Sequence, residues 1–179
     1  MENANIFLAL GSNLAFQDLA PIQILRAAIK ELEKTGLKII AASSIYASEA
    51  WPKGNDAPAF LNMVIEVSSA INDPKLLLSL LHQIEENFGR ERDNEEHWGS
   101  RTLDIDIIDF KEMILDKFDI DSGPILPHPR AMLRDFVLIP LLEICPNWRH
   151  PETGITAQSY LDTLNANSQL QTNMYVVKG

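Results

Sequence analysis

The segment Leu103-Asp104-Ile105-Asp106-Ile107 alternates apolar and acidic residues with a period of two, and no other stretch limits the fold so narrowly. Successive side chains on a strand face opposite ways, so Leu103, Ile105 and Ile107 enter a core while Thr102, Asp104 and Asp106 share the other face. On a helix the two carboxylates would point apart. Same-face neighbours on a strand lie about 7 Å apart at Cα, close enough to clamp a hard cation such as Mg²⁺ along with phosphate oxygens and water. The spacing also fits a strand whose polar face is simply wet, because half-buried strands alternate routinely. With no other partners the two acids would repel one another and cost stability.

Around this strand the chain supplies the rest of a sheet. Ile6 to Leu10 reads as a first strand, ended by the turn cluster Gly11-Ser12-Asn13, whose backbone N–H groups could also approach a ligand. Ile24, Leu25, Ala28, Ile29 and Leu32 follow helical spacing between Pro21 and Lys34, with Gly36 as the stop. Leu37 to Tyr46 and Phe60 to Val67 read as paired strands around a Trp51-to-Asp56 loop. From Pro74 to Phe88 a second helix has Asp73 as N-cap, Pro74 at its first position and Gly89 at its left-handed end. The order β-α-β-β-α-β is the ferredoxin-like arrangement, an α+β sandwich with an antiparallel sheet and both helices on one face. C-terminal additions follow: Ile114-Leu115 as an extra strand, Phe136 to Ile144 as a short apolar helix, and Met174-Tyr175-Val176-Val177 as a closing strand. Residues 1–165 are expected to form one domain and 166–179 a polar tail.

Composition narrows the function. The net charge is -10, which argues against broad nucleic-acid binding, since that depends on cations neutralising many phosphates. Charge placement points to a small polyphosphate instead: Arg90, Arg92, Arg101, Arg130 and Arg134 cluster mid-chain around the acidic pair. Cys145 is the only cysteine, which excludes an internal disulfide or a cysteine cluster for zinc or iron–sulfur chemistry and fits a reducing cytoplasm. No apolar run approaches the ~20 residues of a membrane span. A soluble, cytoplasmic protein without nucleic-acid or membrane partners is expected.

Several separated motifs then occur in one order: Gly11-Ser12-Asn13-Leu14, Ser43-Ser44-Ile45-Tyr46, Phe60-Leu61-Asn62, Gly89-Arg90-Glu91-Arg92, Trp98-Gly99-Ser100-Arg101-Thr102-Leu103-Asp104-Ile105-Asp106, Leu126-Pro127-His128-Pro129-Arg130 and Arg134-Asp135-Phe136. From about Ile6 to His150 the chain resembles the 6-hydroxymethyl-7,8-dihydropterin pyrophosphokinases of folate biosynthesis. The resemblance implies transfer of the β,γ-pyrophosphoryl group of ATP to the pterin hydroxymethyl oxygen, with AMP released. It implies two Mg²⁺ ions on Asp104 and Asp106, with Asp104 also near the pterin. Arg90 and Arg101 match catalytic arginines of a mobile loop. Glu85, Arg92, Trp98, Ile107, His128 and Arg134 match ATP-binding positions. Phe60 and Phe136 resemble the pterin-stacking pair, Asn62 the reader of the pterin edge and Ser48 a further pterin contact. Small-molecule substrates and a monomer or weak homodimer follow.

The chain departs from the family pattern at Ser100, commonly proline, at His97, commonly arginine, and at Glu49-Ala50-Trp51, where prolines are usual. Ser100 would loosen the hinge of a Gly89-to-Gly99 lid that carries Arg90. Two other readings share the sheet. A palm-like nucleotidyl transferase also uses two carboxylates and two metals but releases pyrophosphate. A ferredoxin-like RNA-binding module needs sheet-face aromatics and basic charge that the middle strands lack, and the intact acidic pair and arginines count against a non-catalytic nucleotide-binding module.

Overall fold

In the computed structural model, residues 5–48, 58–90, 101–116, 123–167 and 174–177 are described. The alternating segment is a strand, as its period requires. In chain order the elements are β1 (Ile6–Ser12), α1 (Pro21–Lys34), β2 (Lys38–Ala42), β3 (Tyr46–Ser48), β4 (Phe60–Ser68), α2 (Pro74–Asn87), β5 (Asp104–Phe110), α3 (Asp135–Ile144), α4 (Ala157–Ala166) and β6 (Tyr175–Val176). They build a six-stranded antiparallel sheet ordered β5-β1-β4-β3-β6, with β2 also on β4. The stretch expected as one strand from Leu37 to Tyr46 is therefore two, both pairing with β4. Between them Ser43 leaves the strand pattern: its N–H donates to the Val64 carbonyl and its hydroxyl accepts the Val64 N–H at 3.0 Å. A side-chain oxygen thus replaces a backbone partner where the strand breaks.

One face of the sheet is sealed by α1 and α2. Ile6, Leu8 and Leu10 of β1, Met63, Ile65 and Val67 of β4, and Ile105 and Ile107 of β5 pack there against Ile24, Leu25, Ala28 and Leu32 of α1 and Leu77, Leu81 and Ile84 of α2. Each such side chain contributes about 1.5–3 kcal/mol when fully buried. Capping follows the sequence: Asp73 Oδ1 accepts the Lys75 N–H at 2.9 Å, and Pro74 opens α2. At the other end the Gly89 N–H bonds the Glu86 carbonyl and the Arg90 N–H reaches back to the Glu85 carbonyl. With Gly89 at φ 78° this is a Schellman stop. A Cβ at Gly89 would lie 2.2 Å from the Phe16 ring, so only glycine fits.

The other face is half covered. Phe7, Val64 and Ile108 meet Val137, Leu138 and Leu141 of α3, together with Trp148 and with Ala157 and Leu164 of α4. Helix α3 matches the expected Phe136-to-Ile144 helix. Helix α4 has a signal that is easily passed over in a polar stretch: Thr156 caps the Ser159 N–H, and Ala157, Tyr160, Leu161 and Leu164 recur at helical spacing. Between β1 and β5 the register slips, with Leu8 opposite Ile107 but Phe7 opposite Asp109. Alternation therefore holds as far as Ile107. Beyond it Ile108 and Asp109 both turn to the α3 side, and Phe110 returns to the first core. The expected Ile114-Leu115 strand is a single bridge between Leu115 and Leu126, and the closing strand is β6 on β3. No helix among the described residues is long and apolar enough to cross a membrane.

Candidate active site

The uncovered half of the α3-side face is a cavity of about 640 Å³. Strands β1, β4 and β5 floor it, and the ends of α2 and α3 with the Gly123-to-Arg134 segment wall it. Of the residues singled out from the sequence, Ser48, Phe60, Asn62, Glu85, Arg90, Arg101, Asp104, Asp106, Ile107, His128, Arg134 and Phe136 all line it. Ile107 does so from its buried side, since its side chain packs in the first core. Arg92 and Trp98 lie outside the described residues, as do His97, Ser100, Glu49-Ala50-Trp51 and positions 91–99 of the expected lid.

Asp104 and Asp106 share the cavity face of β5 because they sit two residues apart on a strand. Their expected mutual repulsion is overturned, since each carboxylate has its own guanidinium. Arg90 donates to Asp104 Oδ1, Arg101 donates to Asp104 Oδ2 at 2.7 Å, and Arg134 donates to Asp106 Oδ2 at 3.3 Å. Burial alone would raise the Asp104 carboxyl, but Arg90 and Arg101 outweigh it and hold it below the usual 3.8. Asp104 is 24% exposed and Asp106 37%, so both side chains still open to the cavity.

Sequence position decides how the arginines reach this point. The Schellman stop turns the chain out of α2 at Arg90, whose guanidinium meets Glu85 at 2.5 Å as well as Asp104. Glu85 looks by spacing like an exposed helix carboxylate. It is 1% exposed, and its Oε1 also accepts the Ile105 N–H of β5 at 2.7 Å. Glu85 therefore ties α2, Arg90 and β5 together. On the far side, the Gly11-Ser12-Asn13-Leu14 turn offers no free N–H pair to a ligand: both the Asn13 and Leu14 N–H groups donate to the Arg101 carbonyl. Asn13 Oδ1 accepts the Arg101 N–H at 2.7 Å, and the Ser12 hydroxyl donates to the Thr102 carbonyl. The turn bolts the backbone that carries Arg101.

His128 follows the cis peptide Leu126–Pro127. Its Nδ1 accepts the Arg130 N–H at 3.2 Å, which leaves the proton on Nε2, 3.8 Å from Asp106 Oδ2. Burial lowers the imidazole below its usual 6.5, and Arg134 and Arg130 add to that against the pull of Asp106, so it is neutral near pH 7. The Arg134 guanidinium also lies 5.5 Å above the Phe136 ring. At the opposite end Asn62 donates from Nδ2 to the Ser48 hydroxyl at 2.9 Å, with Phe60 and Phe136 also on the wall. Sequence reading missed His82 and Leu78, which line the cavity one and two turns before Glu85 on the same helix face. It missed Ile125 and Leu133 too, large apolar residues left exposed at the cavity.

No cluster of three or more metal-ligating side chains occurs among the described residues. The donors nevertheless fit Mg²⁺, which keeps several waters and takes one or two carboxylates plus phosphate oxygens rather than a closed protein cage. A pair of aspartates facing an arginine-lined cavity is that donor set.

Residues 7–146 match the family model described as 7,8-dihydro-6-hydroxymethylpterin-pyrophosphokinase. The chain is 39% identical over 141 residues to a 2-amino-4-hydroxy-6-hydroxymethyldihydropteridine pyrophosphokinase of Bacillus subtilis, covering 78% of this chain and 77% of that one. It is 38% identical over 133 residues to the protein of the same name from Synechocystis, covering 74% of this chain and 64% of that one. It is 33% identical to the folic acid synthesis protein fol1 of Pneumocystis carinii, matching over 92% of its own length but spanning only 20% of that protein. Among solved structures, the HPPK-DHPS of Plasmodium falciparum superposes with a TM-score of 0.72 at 16% identity, over 98% of this chain and 44% of that one, which shows the shared fold.

Proposed function

This chain belongs to the 7,8-dihydro-6-hydroxymethylpterin-pyrophosphokinase family, and on that premise we propose that it transfers the pyrophosphoryl group of ATP to 6-hydroxymethyl-7,8-dihydropterin in folate biosynthesis. The pterin hydroxymethyl oxygen attacks the β-phosphorus, the bond from that phosphorus to the oxygen bridging the α-phosphorus breaks, and AMP leaves. The observation that carries this reading is the meeting, in one cavity, of the Asp104–Asp106 pair, arginines from three segments and an aromatic-and-amide wall.

Two Mg²⁺ ions held by Asp104 and Asp106 would neutralise charge across the polyphosphate. The chain's own residues position and bind. Arg90 and Arg101 are forks that follow charge moving between phosphate oxygens as the bond breaks. The neutral His128 offers its Nε2 proton to a phosphate oxygen, and Arg134 holds the nucleotide side. Glu85, Ile107, Arg92 and Trp98 complete the ATP side in this reading. Phe60 and Phe136 stack the pterin, with Asn62 and Ser48 reading its edge. Residues 1–165 would act as one domain with 166–179 as a tail, in a cytoplasmic monomer or weak homodimer.

Incubation with Mg²⁺, ATP and the hydroxymethyl dihydropterin should give AMP and the pterin diphosphate. Release of pyrophosphate would mark a nucleotidyl transferase instead, and no nucleotide turnover would leave only a binding module.

A further inference from the structure

The motif Ser43-Ser44-Ile45-Tyr46 has no part in the chemistry above, yet Ser44 and Tyr46 converge on one side chain. Glu143, exposed in the last turn of α3, accepts the Ser44 N–H on both carboxylate oxygens at 3.0 Å, the Ser44 hydroxyl at 2.8 Å and the Tyr46 hydroxyl at 2.9 Å. A carboxylate at a helix C-terminus opposes the helix dipole, and α3 has no basic residue in its last turn to offset it. The three donors supply the compensation that α3 lacks.

The two ends of this clasp belong to the two walls of the proposed pterin slot. On one side Phe136 lies seven residues before Glu143, about 10 Å along the helix. On the other side Tyr46 is two residues from Ser48 on β3, where Tyr46 pairs with Asn62 and Ser48 with Phe60. Ser48 in turn receives the Asn62 amide. Pro140 inside α3 has no N–H for the Phe136 carbonyl, so the helix's own ladder holds the Phe136 turn weakly. We propose that Glu143 is a positioning residue for the pterin, fixing the spacing between the Phe136 wall and the Ser48–Asn62 wall from outside the cavity. The proposal rests on the pterin assignment made above.

Steady-state kinetics with each substrate varied tests it. Glu143→Ala should raise the KM for the hydroxymethyl dihydropterin by at least about tenfold, equivalent to about 1.4 kcal/mol, and leave the KM for ATP within about twofold. Tyr46→Phe, which removes one donor and keeps the ring, should move the pterin KM the same way by less. Glu143→Gln, which keeps one oxygen acceptor, should recover part of the loss. A fall in melting temperature with both KM values moving together, or with the pterin KM unchanged, would overturn the proposal and leave Glu143 as a plain fold contact. Should the wild-type protein fail to turn over the pterin at all, the functional reading fails and this inference falls with it; failure in the variants alone sinks only the inference.

Discussion

Asp104 and Asp109 stand on the same strand, and the two ends of that strand shift their carboxyls in opposite directions. Asp104 faces the open half of the sheet, where Arg90 and Arg101 outweigh its burial and keep it ionised. Asp109 faces the half closed by α3 and α4, where it is 2% exposed. Burial raises its carboxyl above the usual 3.8 although the Trp148 indole and the Glu112 N–H donate to it. Like side chains on one strand thus become a carboxyl whose charge is favoured and one whose charge is penalised. The cover decides which: guanidiniums around an opening preserve charge, and an apolar lid of Val137, Leu138 and Trp148 penalises it.

The sharpest break of that contrast is in turnover. Asp104→Asn should lower kcat by at least about a hundredfold, the scale on which a lost charge-stabilising group is felt, while Asp109→Asn leaves it within about twofold. Asp104→Asn should also lower the melting temperature, since it strips a partner from two guanidiniums. A rise instead would restore the repulsion expected from the sequence. Near-normal turnover in Asp104→Asn would remove the catalytic assignment.

Next in size is the link behind the open half. Arg90 is 7% exposed and Glu85 1%, so Glu85→Ala leaves a buried guanidinium with less compensation, at a cost of about 3 kcal/mol. Denaturant unfolding should show that loss, and turnover should fall with it because Arg90 loses its fixed position. Full activity in a destabilised Glu85→Ala would mean that Asp104 alone places Arg90.

How much of this difference the sequence reveals depends on range. The acidic pair, both caps of α2 and the apolar faces of α1 and α2 are legible because each depends on residues a few positions apart. Glu85 is not, because its burial depends on β5 lying under the end of α2, and no spacing along the helix encodes that. Asp109 is hidden for a related reason: strict alternation puts it with Ile107, and only the register slip against Phe7 turns it to the other side. The role of Gly11-Ser12-Asn13-Leu14 as a clamp on Arg101 needs contacts about 90 residues apart in the chain.

On the covered half, Trp148→Phe keeps the ring in the second core but removes the N–H that meets Asp109 Oδ2 at 3.0 Å. Leaving a buried acceptor short of a donor costs about 1–3 kcal/mol. Turnover should not change. The double variant with Asp109→Asn should lose less than the sum of the singles, because one bond is being removed twice; simple additivity would show that the two groups do not act together.

The smallest effects are in the pH dependence of stability, and they run in opposite directions along β5. Asp104, held below 3.8, adds stability that is complete above its unfolded value and is lost as pH falls through its lower folded one. Asp109, pushed above 3.8, carries a penalty at neutral pH that protonation relieves as pH falls through its folded value. Asp109→Asn should therefore compare best with the wild type near pH 7 and lose ground on acidification, whereas the deficit of Asp104→Asn should close below about pH 4, near the unfolded carboxyl value. His128 and His150, both lowered from 6.5 by burial, add a separate loss of stability that grows as pH drops below 6.5. His128→Gln should remove part of that loss and leave the carboxylate trends intact. Melting curves from pH 3 to 8 separate the three, because the histidine loss begins at a higher pH than the loss from Asp104. Parallel curves for Asp104→Asn and Asp109→Asn would mean that neither the arginines at one end of β5 nor the cover at the other sets the two carboxyls apart.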